Sequence, residues 1–306
     1  MISKKIIAII SILGLLFLIT ACEEGGEVTV GKSPYIGGNK GIVAEFEPMG
    51  IEEAGVYTIY DDEIFPIQIF LKNKGEEDLQ VGDVKVELYG IFLGDFTGIT
   101  GKELSNSEEI EGISDINKEG GELVINFGSD VSYIPKIQGD FVPLDILASY
   151  VYRYKTKTSI PRVCFKEDLR DTELCDVDEG KTSFSSGAPI QVKSVEERPG
   201  GAGKVSLVFE IENVGGGSST IPGQEFNTRY DQIQYRIIPE TEAAKWKCTA
   251  AGREDTARFA EETATIVCTL KDPLPEGAKY TKEISLEISY DYRDFIQETV
   301  RVKRLD

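Results

Sequence analysis

Two stretches of the chain alternate apolar and polar residues and stop at the same three-residue signal. Residues 65–75 read FPIQIFLKNKG and residues 205–215 read VSLVFEIENVG, each ending in Asn-x-Gly. Successive side chains of a strand point to opposite faces, so Ile67, Ile69 and Leu71 share one face while Gln68 and Lys72 share the other. Two further alternating runs, LDILASYVYR at 144–153 and ISLEISYDYR at 284–293, lie the same 140 positions apart. That shift aligns Tyr150 with Tyr290, Tyr152 with Tyr292 and Arg153 with Arg293, and it carries Pro135 onto Pro275. Two distant anchors with one shift predict a duplicated β module.

Further strands are predicted at 42–46, at Val84, Val86 and Leu88, at Leu123, Ile125 and Phe127, at Ile233, Tyr235 and Ile237, and at 295–302. Helical periodicity is almost absent. The expected fold is all-β, with two tandem antiparallel β-sandwich (immunoglobulin-like) domains at 41–180 and 188–306 after an N-terminal signal helix. The run at 144–153 is the longest strict alternation of the first module and is expected at the centre of a sheet. Residues 65–88 are expected to form a hairpin, and 73–75 and 213–215 are read as turns, because Asn and Gly tolerate positive φ. The polar stretch 176–189 reads as a linker, and the long, weakly patterned 92–121 as a mobile surface insertion. PGGAG at 199–203 reads as a hairpin turn; a phosphate loop needs Ser or Thr after its Lys, and Lys204 is followed by Val205.

The first residues follow another pattern. Lys4 and Lys5 precede an apolar run at 6–19. As a helix this run spans about 21 Å, short of the roughly 30 Å hydrocarbon core of a bilayer. A secretory signal peptide at 1–21 is therefore expected. Ile19, Thr20, Ala21 and Cys22 resemble the lipobox of prokaryotic lipoproteins, which implies a lipid on Cys22 as the new N-terminus. An uncleaved anchor with Cys22 incidental, or a pilin-like processing site, are the other readings of this segment. Residues 22–40 read as a flexible tether that reaches roughly 25 Å as a random coil. The implied address is the outer face of the cell membrane, with the membrane itself a partner through the lipid on Cys22.

Composition narrows the chemistry. Asp and Glu outnumber Lys and Arg 53 to 33, a net charge of −20. Removing 1–21 takes away Lys4 and Lys5 and no acid, so the mature chain stands at −22. Such a balance disfavours nucleic acid, whose phosphates need clustered cations. Four cysteines remain beside Cys22, and pairing within each module assigns Cys164 to Cys175 and Cys248 to Cys268. The absence of a CxxC spacing and of any histidine disfavours zinc. Trp246 and Cys248 share a strand face, so the second disulfide is expected to lie inward beside the only tryptophan, similar to an immunoglobulin core although the spacing differs.

An alternating strand closing in Asn-x-Gly resembles the CARDB-like and related immunoglobulin-like modules of archaeal and bacterial surface proteins. YVYRYKT at 150–156, followed by Val163 and Cys164, is similar to a recurrent feature of archaeal exported proteins. The resemblance implies adhesion or envelope assembly and supplies no catalytic residues. Zero histidines remove His-based triads and His metal centres. Asp61, Asp62 and Glu63 are candidates for carboxylate-based hydrolysis or for calcium, as are Asp168, Asp171, Glu173, Asp176 and Asp178 for calcium, but neither cluster has EF-hand spacing. No cofactor and no metal are expected. The tyrosines at 150, 152, 290 and 292 read as core or sheet-face residues. The leading functional reading is a membrane-tethered, non-catalytic surface lipoprotein that acts as a protein-binding, adhesion or envelope-structural module, with a surface or envelope protein as its partner. A glycan or small-ligand binder using 51–63 and 92–121 is the alternative, and a carboxylate-based hydrolase the third.

Overall fold

The computed structural model describes residues 32–171 and 173–305. The predicted signal peptide, Cys22 and the tether as far as residue 31 lie outside the described residues. Ten principal strands fall into two sets of five. The first set is β1 (Ile42–Phe46), β2 (Phe65–Asn73), β3 (Val84–Tyr89), β4 (Glu122–Tyr133) and β5 (Phe141–Lys166). The second is β6 (Ile190–Gly201), β7 (Lys204–Asn213), β8 (Gln232–Ile238), β9 (Thr263–Leu270) and β10 (Lys279–Lys303). Pairing is antiparallel in both sets, and the fold is all-β. Helix among the described residues amounts to a 3-10 turn at Leu93–Asp95 and one turn, α1 (Glu240–Ala243).

The sets correspond strand for strand. β1, β2 and β4 are neighbours in one sheet, as β6, β7 and β9 are in another. Ile42 faces Asn73 as Ile190 faces Asn213, and Lys72 faces Glu122 as Glu212 faces Thr263. The remaining pairs, β3 with β5 and β8 with β10, belong to a third sheet that both sets share, because β5 pairs with β10 from Phe141–Lys303 to Lys166–Lys279. Residues Ser33–Asp306 consequently form one compact unit. Each long strand was expected as shorter pieces. In β10 the runs at 284–293 and 295–302 are continuous, and in β5 the chain passes through Pro161 at the only register slip, between Lys282 and Ile284 of the partner. A proline offers no N–H to the ladder, so it fits where the ladder is interrupted.

Tyrosines on the inner face of this shared sheet tie it to the other two. Tyr152, Tyr154, Tyr290 and Tyr292 are buried, with rings packed in contact across the β5–β10 pair. Tyr154 Oη donates to Asn73 Oδ1 at 2.9 Å and accepts the Glu77 N–H at 3.2 Å. Tyr292 Oη donates to Asn213 Oδ1 at 2.9 Å and accepts the Gly217 N–H at 2.8 Å. Burial drives both phenols well above the usual tyrosine range. The Asn-x-Gly signal is therefore a socket for a buried hydroxyl. Neither Gly75 nor Gly215 adopts positive φ; a Cβ there would lie 2.2 Å from Tyr154 Oη or 2.4 Å from Tyr292 Oη. Space, not backbone freedom, requires glycine.

These sockets also correct the internal alignment. Asn213 follows Asn73 by 140 residues, but Tyr292 follows Tyr154 by 138. Structurally, Tyr152 corresponds to Tyr290 and Arg153 to Asp291. A slip of two leaves every side chain on its own face, which is why the shift of 140 looks equally good in the sequence.

Other expectations change as well. β2 and β3 do not form a hairpin: they lie in different sheets, joined by a crossover. The stretch read as a linker carries two short strands, Glu179–Lys181 on β6 and Phe184–Ser185 on β5. The end of the presumed tether is bound, since Glu76 accepts the N–H groups of Ile36, Gly37 and Gly187 at 3.0, 2.9 and 2.6 Å. Within 92–121, buried Asn106 caps the start of β3 through the Gly82 and Val84 N–H groups at 3.0 and 2.9 Å, and Ile110 enters the core. Both expected disulfides are present, Cys164–Cys175 and Cys248–Cys268, the latter joining directly opposed residues of Trp246–Ala250 and β9. The Trp246 indole meets Phe165 of β5 edge-on, ring centres 6.0 Å apart.

Because Asn73 fills its socket with several buried hydrogen bonds, Asn73→Ala should cost about 2–3 kcal/mol and Tyr154→Phe about 1 kcal/mol. Urea unfolding measures both, and an N73A midpoint equal to that of the parent chain would show that the socket contributes nothing to stability.

Candidate binding face

The period of two that turns the tyrosines inward turns other residues outward. On β5 these are Arg153, Lys155 and Lys157, opposite Asp291, Ser289 and Glu287 of β10. Arg236 of β8 continues the row opposite Glu287. Three carboxylates hold these four cations. Arg153 Nε donates to Asp291 Oδ1 at 3.1 Å, and the Arg153 N–H donates to the Asp83 carbonyl at 3.1 Å. Asp291 Oδ2 also accepts the Gly223 N–H at 2.6 Å, which fixes a turn of the second set against the sheet. Lys155 and Lys157 share Glu77, at 3.2 and 3.3 Å from its two oxygens. Arg236 meets Glu287 at 2.8 Å.

Exposure separates the signs. The side chains of Arg153, Lys155, Lys157 and Arg236 are 51%, 40%, 42% and 59% exposed, against 13% for Asp291, 17% for Glu77 and 8% for Glu287. The acids lie beneath and the cations above. Along this row solvent therefore meets the cations before the acids that pair with them, while Glu76, Asp78, Asp83, Glu240 and Asp255 line the recesses around it. Three recesses meet at Arg153, of about 490, 380 and 240 Å³. The largest runs towards Arg236 and α1, the second towards Glu76 and Lys157, and the third towards Lys85 and Phe226. Together they make an open trough with charged walls. Beside it, the Arg293 guanidinium sits between the rings of Phe226 and Phe295, 4.3 and 5.5 Å from their centres.

None of the residues singled out for chemistry lines this trough. Asp61 Oδ1 accepts the Leu305 N–H at 3.1 Å and Glu63 accepts the Tyr60 N–H at 2.9 Å, so both serve a local strand end. Asp168 holds Arg170, while Asp171 and Glu173 grip Lys279, each at 2.7 Å. Among the described residues no group of three or more acids or cysteines is arranged to hold a metal ion, so the calcium candidates are not assembled into a site. Segments 51–63 and 92–121 contribute nothing to the trough. The first forms strands Ile51–Glu53 and Val56–Tyr60, the latter pairing in parallel with the end of β10. The β5 cations were legible all the same: Arg153 and Lys155 occupy polar positions of the YVYRYKT run whose tyrosines mark the core, and Lys157 directly follows it.

A second charged cluster is internal. Glu197 on β6 is fully buried, accepts the Cys164 N–H with both oxygens at 3.0 Å, and pairs with Lys181 at 2.7 Å. It thereby pins the Glu179–Lys181 edge strand and the disulfide-bearing end of β5 to one point. Burial pushes its carboxyl up to about 7, against the opposing pull of Lys181 and the Cys164 N–H.

No protein-family model matches the chain, and neither does any curated protein sequence. Among solved structures, the secreted serine protease VesC from Vibrio cholerae aligns over 87% of this chain and 52% of its own, at 10% identity and a TM-score of 0.20. The chain thus spans about half the length of that protein, and a likeness at this level carries no argument about fold or function.

The Glu197 carboxyl titrates higher folded than unfolded, where the ordinary value is 4.5. Its contribution to stability is complete below the unfolded value and is lost as pH rises through about 7. The span corresponds to roughly 3 kcal/mol. Glu197→Gln should therefore flatten the pH dependence of urea stability between pH 4.5 and 8 relative to the parent chain; parallel curves would exclude Glu197 as the source.

Proposed function

We propose that this chain is an exported surface lipoprotein, anchored by a lipid on Cys22, that acts without catalysis as a protein-binding module of the cell envelope. The two five-strand sets are read as immunoglobulin-like sandwiches, joined through one sheet. The observation that carries the binding reading is the trough around Arg153: broad, open and lined by charge of both signs. Small ligands favour enclosed, mostly apolar cavities, whereas extended polar surfaces suit macromolecular partners. Two disulfides among the described residues support an oxidising compartment. The Ile19-to-Cys22 signal supports the anchor.

Two measurements test this. Cells fed a labelled lipid precursor should label the chain, and Cys22→Ser should release it from the membrane fraction; an unlabelled chain, or a C22S variant that stays attached, would remove the lipoprotein assignment. Crosslinking on intact cells should recover a defined envelope protein. Recovery of glycan alone would favour the glycan-binding alternative.

A further inference from the structure

Resting on the partner-binding reading, we propose that the row Arg153, Lys155 and Lys157 docks an extended acidic segment of a protein partner, with acids at every second position. Charge complementarity is the first support. The row is exposed, whereas its balancing carboxylates lie beneath it. Lys155 and Lys157 have one carboxylate, Glu77, between them, so one positive charge on the row has no counterpart of its own. Most of this acidic chain repels an anionic segment, which concentrates attraction on this row.

Spacing is the second support. Same-face residues on β5 recur about every 6.8 Å, the repeat of same-side residues in any extended peptide. Acids at positions i, i+2 and i+4 of such a segment come into step with all three cations. Contiguous acids put alternate carboxylates on the far side. The third support is the wall. Glu76, Asp78 and Asp83 flank the row on one side and Glu240 and Asp255 on the other, which suits a polypeptide whose intervening positions are neutral or basic. A uniformly charged polyanion would meet these acids along its whole length.

The row is also preorganised. Arg153 is fixed through its backbone by Asp83 and through Nε by Asp291. Glu77 is itself positioned by the Tyr154 hydroxyl. Cations held this way lose little side-chain freedom on binding.

The test titrates the full chain at low ionic strength with three probes. The first is a fluorescent heptapeptide of alternating Ser and Glu with three glutamates, the second has the same composition with the glutamates contiguous, and the third is polygalacturonate. The alternating peptide should bind about tenfold tighter than the contiguous one, and the difference should vanish by about 0.5 M salt. Lys155→Glu combined with Lys157→Glu should abolish the preference, as should the milder K155Q/K157Q pair, while K193E, on the sheet of β6 and β7, should leave it unchanged. Equal affinity for the two peptides, or a K155Q/K157Q titration that superimposes on the parent's, overturns the proposal. Tighter binding of polygalacturonate than of the alternating peptide overturns it in favour of an acidic glycan. A partner crosslinked in cells through another face would leave the partner-binding reading standing and remove only this docking row.

Discussion

The pairing of β5 with β10 is the constraint on which the rest of this molecule depends. A two-stranded ribbon alone is marginal in water, and one this long needs cover on its inner face. The two smaller sheets, of four and six strands, supply that cover, one over each end. Their shared boundary is the tyrosine cluster, where rings from β5 and β10 pack on each other and their hydroxyls reach into the opposite sheets. A phenol suits this place because it fills a large apolar volume and still brings one hydrogen-bonding group to a partner. Had phenylalanine stood there, Asn73 and Asn213 would lose their deepest partners.

The sequence revealed much of this and concealed an informative part. Alternation located most of the principal strands, because each has one buried face, and the buried tyrosines were legible for the same reason. The duplication was legible from Asn73 and Asn213. What alternation cannot report is which strand sits beside which. β2 and β3 are consecutive and both amphipathic, yet they lie in different sheets, and nothing in a period of two distinguishes a hairpin from a crossover. The same degeneracy hid the two-residue slip between Tyr154 and Tyr292. Segments 33–40, 92–121 and 176–189 lacked a period because their order comes from single side chains: Glu76 collecting three N–H groups, and Asn106 capping β3.

The candidate face was half visible. Arg153, Lys155 and Lys157 are in plain sight, but their meaning depends on acids that arrive from far away in the chain: Glu77 from the first crossover, Asp291 from the other module. In a sequence these charges simply cancel. In the fold the acids lie under the cations, and only depth separates the two signs. The acidic clusters that drew attention first, at 61–63 and 168–178, are occupied by neighbouring N–H groups and lysines. Short runs of like charge are what a strand end or a tight turn collects; they say little about ligands.

Arg153 and Asp291 occupy a special place in the pairing. They are equivalent positions of the two modules, and they face each other where β5 and β10 cross the local two-fold relation between the sets. On such an axis a residue meets its own counterpart. If two copies of β5 paired with each other in the same way, arginine would confront arginine; two copies of β10 would confront aspartate with aspartate. Like charges directly opposite destabilise a strand pair. This difference in sign at the axis therefore acts as a key, matching each long strand to its complement in its own chain and discouraging two copies of the chain from zipping together through identical strands.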